Sequence, residues 1–304
     1  MICGHFKKFI VLIRSAPSFS NTLTDAQRAH VGQICAQLVL LAGVEILEVR
    51  RAGPHVRYKS DKTPVCEADE RAEAVILAGL ARHFPQIPVV AEEAYSANPQ
   101  AIPAERFFLV DALDGTKDFV GGKDGFTVNI GLIDKGVPCA GAVFAPAMER
   151  LWFAGAKAFC LDVKAGGSLP DESFWTPVHV RTARADALTA LSSHSHADAR
   201  SLAFLALLPV ETHLPCSSSL KFCKIAEGLG DIYPRFGQIM EWDTAAGDAI
   251  LRGAGGVVMD THGVGLTYGH YDSGYRSPGL IALGDPDLRV QITEILEKMA
   301  GQAL

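Results

Sequence analysis

A short apolar strand that ends in two acids constrains this chain more than any other feature. The run Phe107-Phe108-Leu109-Val110-Asp111-Ala112-Leu113-Asp114-Gly115-Thr116-Lys117-Asp118-Phe119 carries a strand into a turn. Asp111 stands at the strand end and Asp114 three residues later. Gly115 lets the backbone fold back tightly. Thr116 then opens a helix, offering a hydroxyl and unpaired backbone N–H groups. Magnesium takes hard oxygen ligands, usually one or two carboxylates with waters and phosphate oxygens. Two such ions about 3.5–4 Å apart can clamp the attacking and leaving oxygens of a phosphoryl transfer. A helix start beside them is an anion site. The same residues also suit a surface turn in which Asp111 and Asp114 merely cap the next helix.

Two further segments bear on that choice. Val89-Val90-Ala91-Glu92-Glu93 puts a pair of acids directly after a short apolar strand. Glu241-Trp242-Asp243-Thr244-Ala245-Ala246-Gly247-Asp248 puts an acid at the start of a helix whose first turn is made of small residues, which let it approach a neighbouring backbone closely. Each alone reads as a loop acid or an N-cap. Three acidic sites, each at the edge of an apolar element, favour a shared cation centre.

Bulk properties narrow the partners. The formal net charge is -6, which gives no long-range attraction to nucleic acid. A phosphorylated substrate would therefore need bound cations or a few local Lys and Arg residues. Hydrophobic residues make up 48% and charged residues 20% of the 304, as in an ordinary folded protein. No apolar run approaches the roughly 20 residues that span a bilayer. Residues 34–47, the longest candidate, are interrupted by Gln37, Gly43 and Glu45 and read as a buried helix. Seven cysteines, odd in number and without a CxxC pair, suit a reducing compartment rather than a disulfide framework or a zinc site. The expected location is cytoplasmic, at most peripheral at the inner face of the membrane. Residues 1–24, with Lys7, Lys8 and Arg14 and no acid, read as an N-terminal extension without a signal-peptide core.

Apolar spacing predicts a long helix beginning at Thr24-Asp25 and ending near Gly53-Pro54, then a helix over about 67–83 with Ala68, Ala72, Val75, Ile76 and Leu80 on one face. Strands follow at 88–91 and 106–110, and residues 126–133, 140–144 and 150–154 read as an antiparallel meander. Beyond Val178 strands and helices alternate: a strand at 188–193, helices at 198–208, 220–228 and 244–254, and a last helix at 287–299. We expect an α+β subdomain over 25–155, carrying Asp69, Glu92 and the 111–116 turn. An α/β subdomain over 156–304, carrying Asp243, would pack closely against it.

Glu92-Glu93, the run 111–116 and Trp242 to Gly247 together resemble the lithium-sensitive, magnesium-dependent phosphatases of the inositol monophosphatase superfamily. Their motifs read D-P-[IL]-D-G-T and W-D-x-A-A-G. The resemblance covers the chain from about residue 25 and implies a layered αβαβα sandwich. It also implies two to three Mg2+ ions. Glu92, Asp111, the Leu113 carbonyl and Thr116 would hold or adjoin the first, and Asp111, Asp114 and Asp243 the second. A weaker third site would include Glu92 and approach Asp69, in the segment Pro64-Val65-Cys66-Glu67-Ala68-Asp69. Ala112 replaces the usual proline, and Cys66 the usual threonine.

Other segments bear on substrate. Ser193-His194-Ser195-His196-Ala197-Asp198, Ser217-Ser218-Ser219-Leu220-Lys221 and Tyr233-Pro234-Arg235 resemble the bacterial CysQ-type 3'(2'),5'-bisphosphate nucleotidase branch, with His194 where that branch has arginine. That resemblance implies hydrolysis of the 3'-phosphate of adenosine 3',5'-bisphosphate by metal-activated water. Thr116, with Asp69 or Glu92 behind it, would be catalytic. Asp114, Gly115, Thr116, His196, Ser218, Lys221, Arg235 and Asp243 would surround the substrate. Lys221 and Arg235 supply the charge a second phosphate needs in an acidic protein. The expected partner is a small nucleotide, and the expected assembly a monomer or homodimer. An inositol or sugar phosphatase of the same fold is the nearest alternative. A haloacid-dehalogenase phosphatase fits less well, because it needs D-x-D where this chain has D-x-x-D. A catalytically silent metal or nucleotide sensor is the third reading.

Overall fold

Thr24 and Gln27 start the first helix reciprocally. The Thr24 hydroxyl accepts from the Gln27 N–H at 3.2 Å, and the Gln27 side chain accepts from the Thr24 N–H at 2.9 Å, so neither donor is left open. The structure, a computed structural model, describes residues 22–58, 64–184, 186–192 and 198–301. Helix α1 (Asp25–Ala52) runs for 28 residues to Gly53, whose φ of 88° ends it. Its composition would let it cross a bilayer. Instead Val31, Cys35, Val39, Ala42 and Ile46 are buried against α2 (Glu67–His83) and the first sheet, so it is a core helix.

Strands β1 (Val56–Tyr58) and β2 (Pro64–Cys66) form a small ribbon ahead of α2. The first sheet has seven strands in chain order: β3 (Val89–Ala91), β4 (Arg106–Asp114), β5 (Thr127–Asp134), β6 (Val137–Ala145), β7 (Arg150–Ala154), β8 (Ala158–Asp162) and β9 (Thr176–Pro177). β3 and β4 are parallel, joined through α3 (Glu92–Ala97), and the rest is the expected antiparallel meander. Period-two alternation sorts the side chains. Phe108 and Val110 on β4, with Val128, Ile130 and Leu132 on β5, face α1 and α2. Phe107 and Leu109 face the other way.

The second sheet comprises β10 (Leu188–Ser192), β11 (Val210–Pro215), β12 (Ile232–Arg235), β14 (Val257–Met259) and β16 (Leu280–Leu283), ordered β11-β10-β12-β16-β14. β13 (Ile239–Met240) and β15 (Arg276–Ser277) pair as a separate ribbon. Helices α6 (Leu220–Ala226) and α7 (Ala245–Gly253) lie between the two sheets, in contact with β6 on one side and with β12 or β14 on the other. On the far face, α5 (Ala199–Leu205) and α8 (Arg289–Gly301) cover Ile232, Ile281 and Leu283 with Phe204 and Ile292. The layers therefore run αβαβα, the expected fold class.

Several elements differ from the sequence reading, among them β8, β9, β11, β12, β14 and β16, where it placed no strand. The strand expected at 106–110 continues to Asp114, because pairing resumes there after an irregularity. The helix expected from Asp198 begins one residue later, Asp198 being its N-cap and accepting from the Ser201 N–H at 2.9 Å. The last helix is preceded by a tighter 3-10 turn over Pro286–Leu288.

Candidate metal centre

The bulge at the end of β4 builds the first part of the site. Asp111 pairs with Asn129 and Asp114 with Thr127, so Ala112 and Leu113 stand opposite the single residue Val128. A bulge bends a strand and re-aims its side chains. The Leu113 N–H folds back on Asp111 Oδ1 at 3.0 Å. Gly115 (φ 92°, ψ 34°) then turns the chain left-handed into α4 (Thr116–Val120). A side chain there would be strained, and its Cβ would also run into Ser218 Oγ. Thr116 Oγ1 lies 3.1 Å from the Leu113 carbonyl and 3.3 Å from Asp69 Oδ1.

Asp69 comes from the first turn of α2, where it reaches back to the residue before the helix. Its Oδ2 accepts from the Cys66 N–H at 2.9 Å and the Cys66 thiol at 3.1 Å. The Cys66 thiol thus donates to Asp69 where a threonine hydroxyl would, as a weaker donor. Burial lifts the Asp69 carboxyl above its ordinary range, and the Cys66 bonds oppose that.

Glu92 opens α3 directly after β3. The helix is capped from a distance. Buried Glu73 on α2 accepts from the Glu93 and Ala94 N–H groups, both at 2.8 Å. Sequence reasoning missed Glu73, whose one signal is an acid four residues after Asp69 within an apolar helix. Further along α3, the Tyr95 ring lies 5.6 Å from Trp242 and 5.3 Å from Tyr275. These aromatic contacts tie the segment bearing Glu92 to the one bearing Asp243.

Asp243 ends a 3-10 turn, Glu241–Asp243, just before α7. Fully buried Glu241 accepts from the Gly269 and His270 N–H groups at 2.7 and 2.9 Å, which seats that turn on the loop after β14. The small residues of α7 meet glycines on the sheet. A Cβ at Gly131 would come within 2.9 Å of Ala245 and Ala246, and one at Gly141 within 3.4 Å of Ala246 Cα. Close approach at this point carries Asp243 to the end of β4.

Glu92, Asp111 and Asp243 each offer a carboxylate oxygen, and these atoms all lie within 4.8 Å of one another. Asp114 stands just outside the trio, with Oδ2 turned away onto the Ser219 N–H at 2.9 Å. Burial, then the charges of Glu92, Asp114 and Asp243, hold the Asp111 carboxyl well above the usual carboxylate range. Burial and the charges of Asp114 and Glu92 do the same to Asp243, opposed by Arg235. Asp114 is raised by burial, opposed first by Lys221. Acids packed this closely ionise together only with cations among them. An all-oxygen set of this kind fits a hard divalent ion such as Mg2+.

The remaining candidates divide. Lys221 is 3% exposed, donates to the Ser218 carbonyl at 2.7 Å and lies 5.0 Å from the Tyr233 ring, so its charge faces Asp114 from within the protein. Ser218, in a left-handed conformation (φ 48°), donates its hydroxyl to the Asp114 carbonyl at 3.2 Å. Arg235 gives one N–H to the Gln238 carbonyl at 3.2 Å. His194 and His196 lie outside the described residues.

The sequence profile of the inositol monophosphatase family matches residues 28–285. This chain belongs to the inositol monophosphatase family. Magnesium dependence is general in the family, in keeping with the acidic cluster. Within the family the chain is 36% identical over 253 residues to the 3'(2'),5'-bisphosphate nucleotidase CysQ of Buchnera aphidicola, covering 83% of this chain and 92% of that protein. The CysQ of Escherichia coli K12 is 38% identical over 250 residues, 81% of this chain and 96% of its own length. Among solved structures, CysQ of Bacteroides thetaiotaomicron, a bacterial family member, superposes with a TM-score of 0.71 at 32% identity, over 84% of this chain and 97% of that one. An inositol monophosphatase from Anabaena shares the fold at 23% identity and a TM-score of 0.67, over 89% of this chain and 96% of that one.

Proposed function

We propose that this family member is a magnesium-dependent 3'(2'),5'-bisphosphate nucleotidase that converts adenosine 3',5'-bisphosphate to AMP and inorganic phosphate. One observation carries the reading. Glu92, Asp111 and Asp243, from three distant segments, converge within 4.8 Å in a chain 36% to 38% identical to CysQ nucleotidases. Two to three Mg2+ ions would be held by Glu92, Asp111 and the Leu113 carbonyl, by Asp111, Asp114 and Asp243, and by Glu92 with Asp69. When bound, such ions neutralise phosphoryl oxygens and make water more acidic.

The chain's own groups supply the rest. Thr116 Oγ1 donates to Asp69 or to the Leu113 carbonyl, which leaves its lone pairs to orient an attacking water. Asp69, lifted by burial, accepts the proton that water gives up as its oxygen bonds to phosphorus. The bond from phosphorus to the 3'-oxygen breaks in line; that oxygen takes a proton from a solvent water, and Asp69 returns its own to solvent, so the step balances. No covalent enzyme intermediate is needed. Backbone N–H groups at Gly115 and Thr116 would donate to the phosphate. Arg235 suits the second phosphate: among the described residues its forked donor set makes one hydrogen bond, to the Gln238 carbonyl. Lys221 and Ser218 support that wall of the pocket; the expected nucleoside contact, His196, lies outside the described residues. The six cysteines among the described residues are all unpaired, which supports a cytoplasmic location.

Phosphate release from adenosine 3',5'-bisphosphate and inositol 1-phosphate, with and without Mg2+, tests the reading. We expect turnover of the bisphosphate to dominate and to vanish without the ion. Equal or better turnover of inositol 1-phosphate would overturn the substrate assignment, and turnover in excess chelator would overturn the metal assignment.

A further inference from the structure

Behind the acids, β5 carries a polar residue that its surroundings do not call for. Asn129 is fully buried in a strand whose neighbours Val128 and Ile130 belong to the core, and it pairs in register with Asp111. Its Nδ2 donates to Ser219 Oγ at 2.9 Å and lies 3.4 Å from Asp114 Oδ2. A carboxylate only accepts, so the amide must turn its nitrogen this way. Its Oδ1 then has no partner among the described residues, and neither has the hydroxyl of Thr127 two residues earlier on the strand. A buried acceptor left unpaired costs stability. An apolar residue would therefore serve the core better.

Ser219 is the other half of the device. It is 1% exposed, and its Oγ lies 2.8 Å from the Asp243 carbonyl and 3.2 Å from Asp114 Oδ2, while its N–H donates to the same Oδ2 at 2.9 Å. One hydroxyl thus touches the backbone that delivers one acid and the side chain of another. Asp114 Oδ2 is saturated by donors from two elements. Oδ1 remains as the oxygen to face the cluster.

We propose that Asn129 and Ser219 are positioning residues that fix Asp114 by one oxygen and hold the Asp243 turn against it, so that both acids meet a cation in a preset arrangement. This rests on the metal-dependent reading above. Outer partners of metal ligands characteristically change affinity by 10- to 100-fold.

The test is calorimetric Mg2+ binding to substrate-free protein, alongside the thermal midpoint of the metal-free form, for wild type, Asn129→Leu and Ser219→Ala. The account expects the Mg2+ dissociation constant to rise about 10-fold or more in both variants, with the metal-free midpoint of Asn129→Leu equal to or above that of wild type. Unchanged affinity in both folded variants overturns the proposal. A fall in affinity that only accompanies a lowered midpoint in both shows a structural role and overturns it too. If Asn129→Leu does not fold, the core needs that amide, its positioning role is refuted, and Ser219→Ala decides the other half. A wild type that binds no Mg2+ fails the metal-dependent reading itself.

Discussion

The turn at Asp111–Thr116 and the pair Glu92 and Asp243 reach the same place by different means. The turn is self-contained: Leu113 N–H closes on Asp111, Thr116 on the Leu113 carbonyl, and Gly115 supplies the left-handed step. Glu92 and Asp243 are set by groups elsewhere. Glu73 on α2 caps the helix of Glu92, and glycines on β5 and β6 decide how near α7 brings Asp243. A local device can lose its chemistry and keep its shape. A device built by packing loses both together.

Asp111→Asn should give the largest effect and the clearest separation. Removing a charge shared by the site costs several kcal/mol of transition-state stabilisation, about a 10³-fold fall in kcat. The metal-free protein should melt no lower than wild type, because the substitution relieves repulsion from Glu92, Asp114 and Asp243. Phosphate-release kinetics and a thermal melt in chelator check both halves.

Gly131→Ala should move both quantities down. The added Cβ meets Ala245 and Ala246 at 2.9 Å, and overpacking of this kind costs about 1–3 kcal/mol. Denaturant unfolding should show that loss, and activity should fall with it as α7 shifts. A variant as stable as wild type but inactive would place Asp243 under local control after all.

The third prediction concerns Glu73. Burial pushes its carboxyl up to about 7 from an ordinary 4.5, against the two N–H bonds it accepts. The folded state therefore holds this proton more tightly than the unfolded chain. Its contribution is full below pH 4.5 and is lost as pH rises through 7, about 3 kcal/mol in all. Denaturant unfolding of the metal-free protein across that window should show a decline that Glu73→Gln removes. A variant with the wild-type slope would exclude Glu73 as its source.

The same contrast explains what could be read from the sequence. The turn was legible because its spacing is its structure: acid, two residues, acid, glycine, threonine. Helix ends at Thr24 and Gly53 were legible for the same reason, since a cap acts within three or four residues. Asn129 and Ser219 were not, because their meaning depends on which strand faces which. Only the pairing of Asp111 with Asn129 gives that amide a carboxylate to touch. Lys221 reads in sequence as a cation for a substrate phosphate; the fold adds that it is 3% exposed and that its charge acts on Asp114. The bulge at Ala112 and Leu113 likewise appears only once β5 is alongside.

The convergence of Glu92, Asp111 and Asp243 on divalent cations is tested most directly by anomalous scattering from crystals grown with Mn2+ in place of Mg2+. The account predicts strong peaks bonded to oxygens of all three residues, with Asp114 joining through Oδ1. Peaks confined to other carboxylates, or none at this cluster in well-ordered crystals at saturating Mn2+, would contradict it.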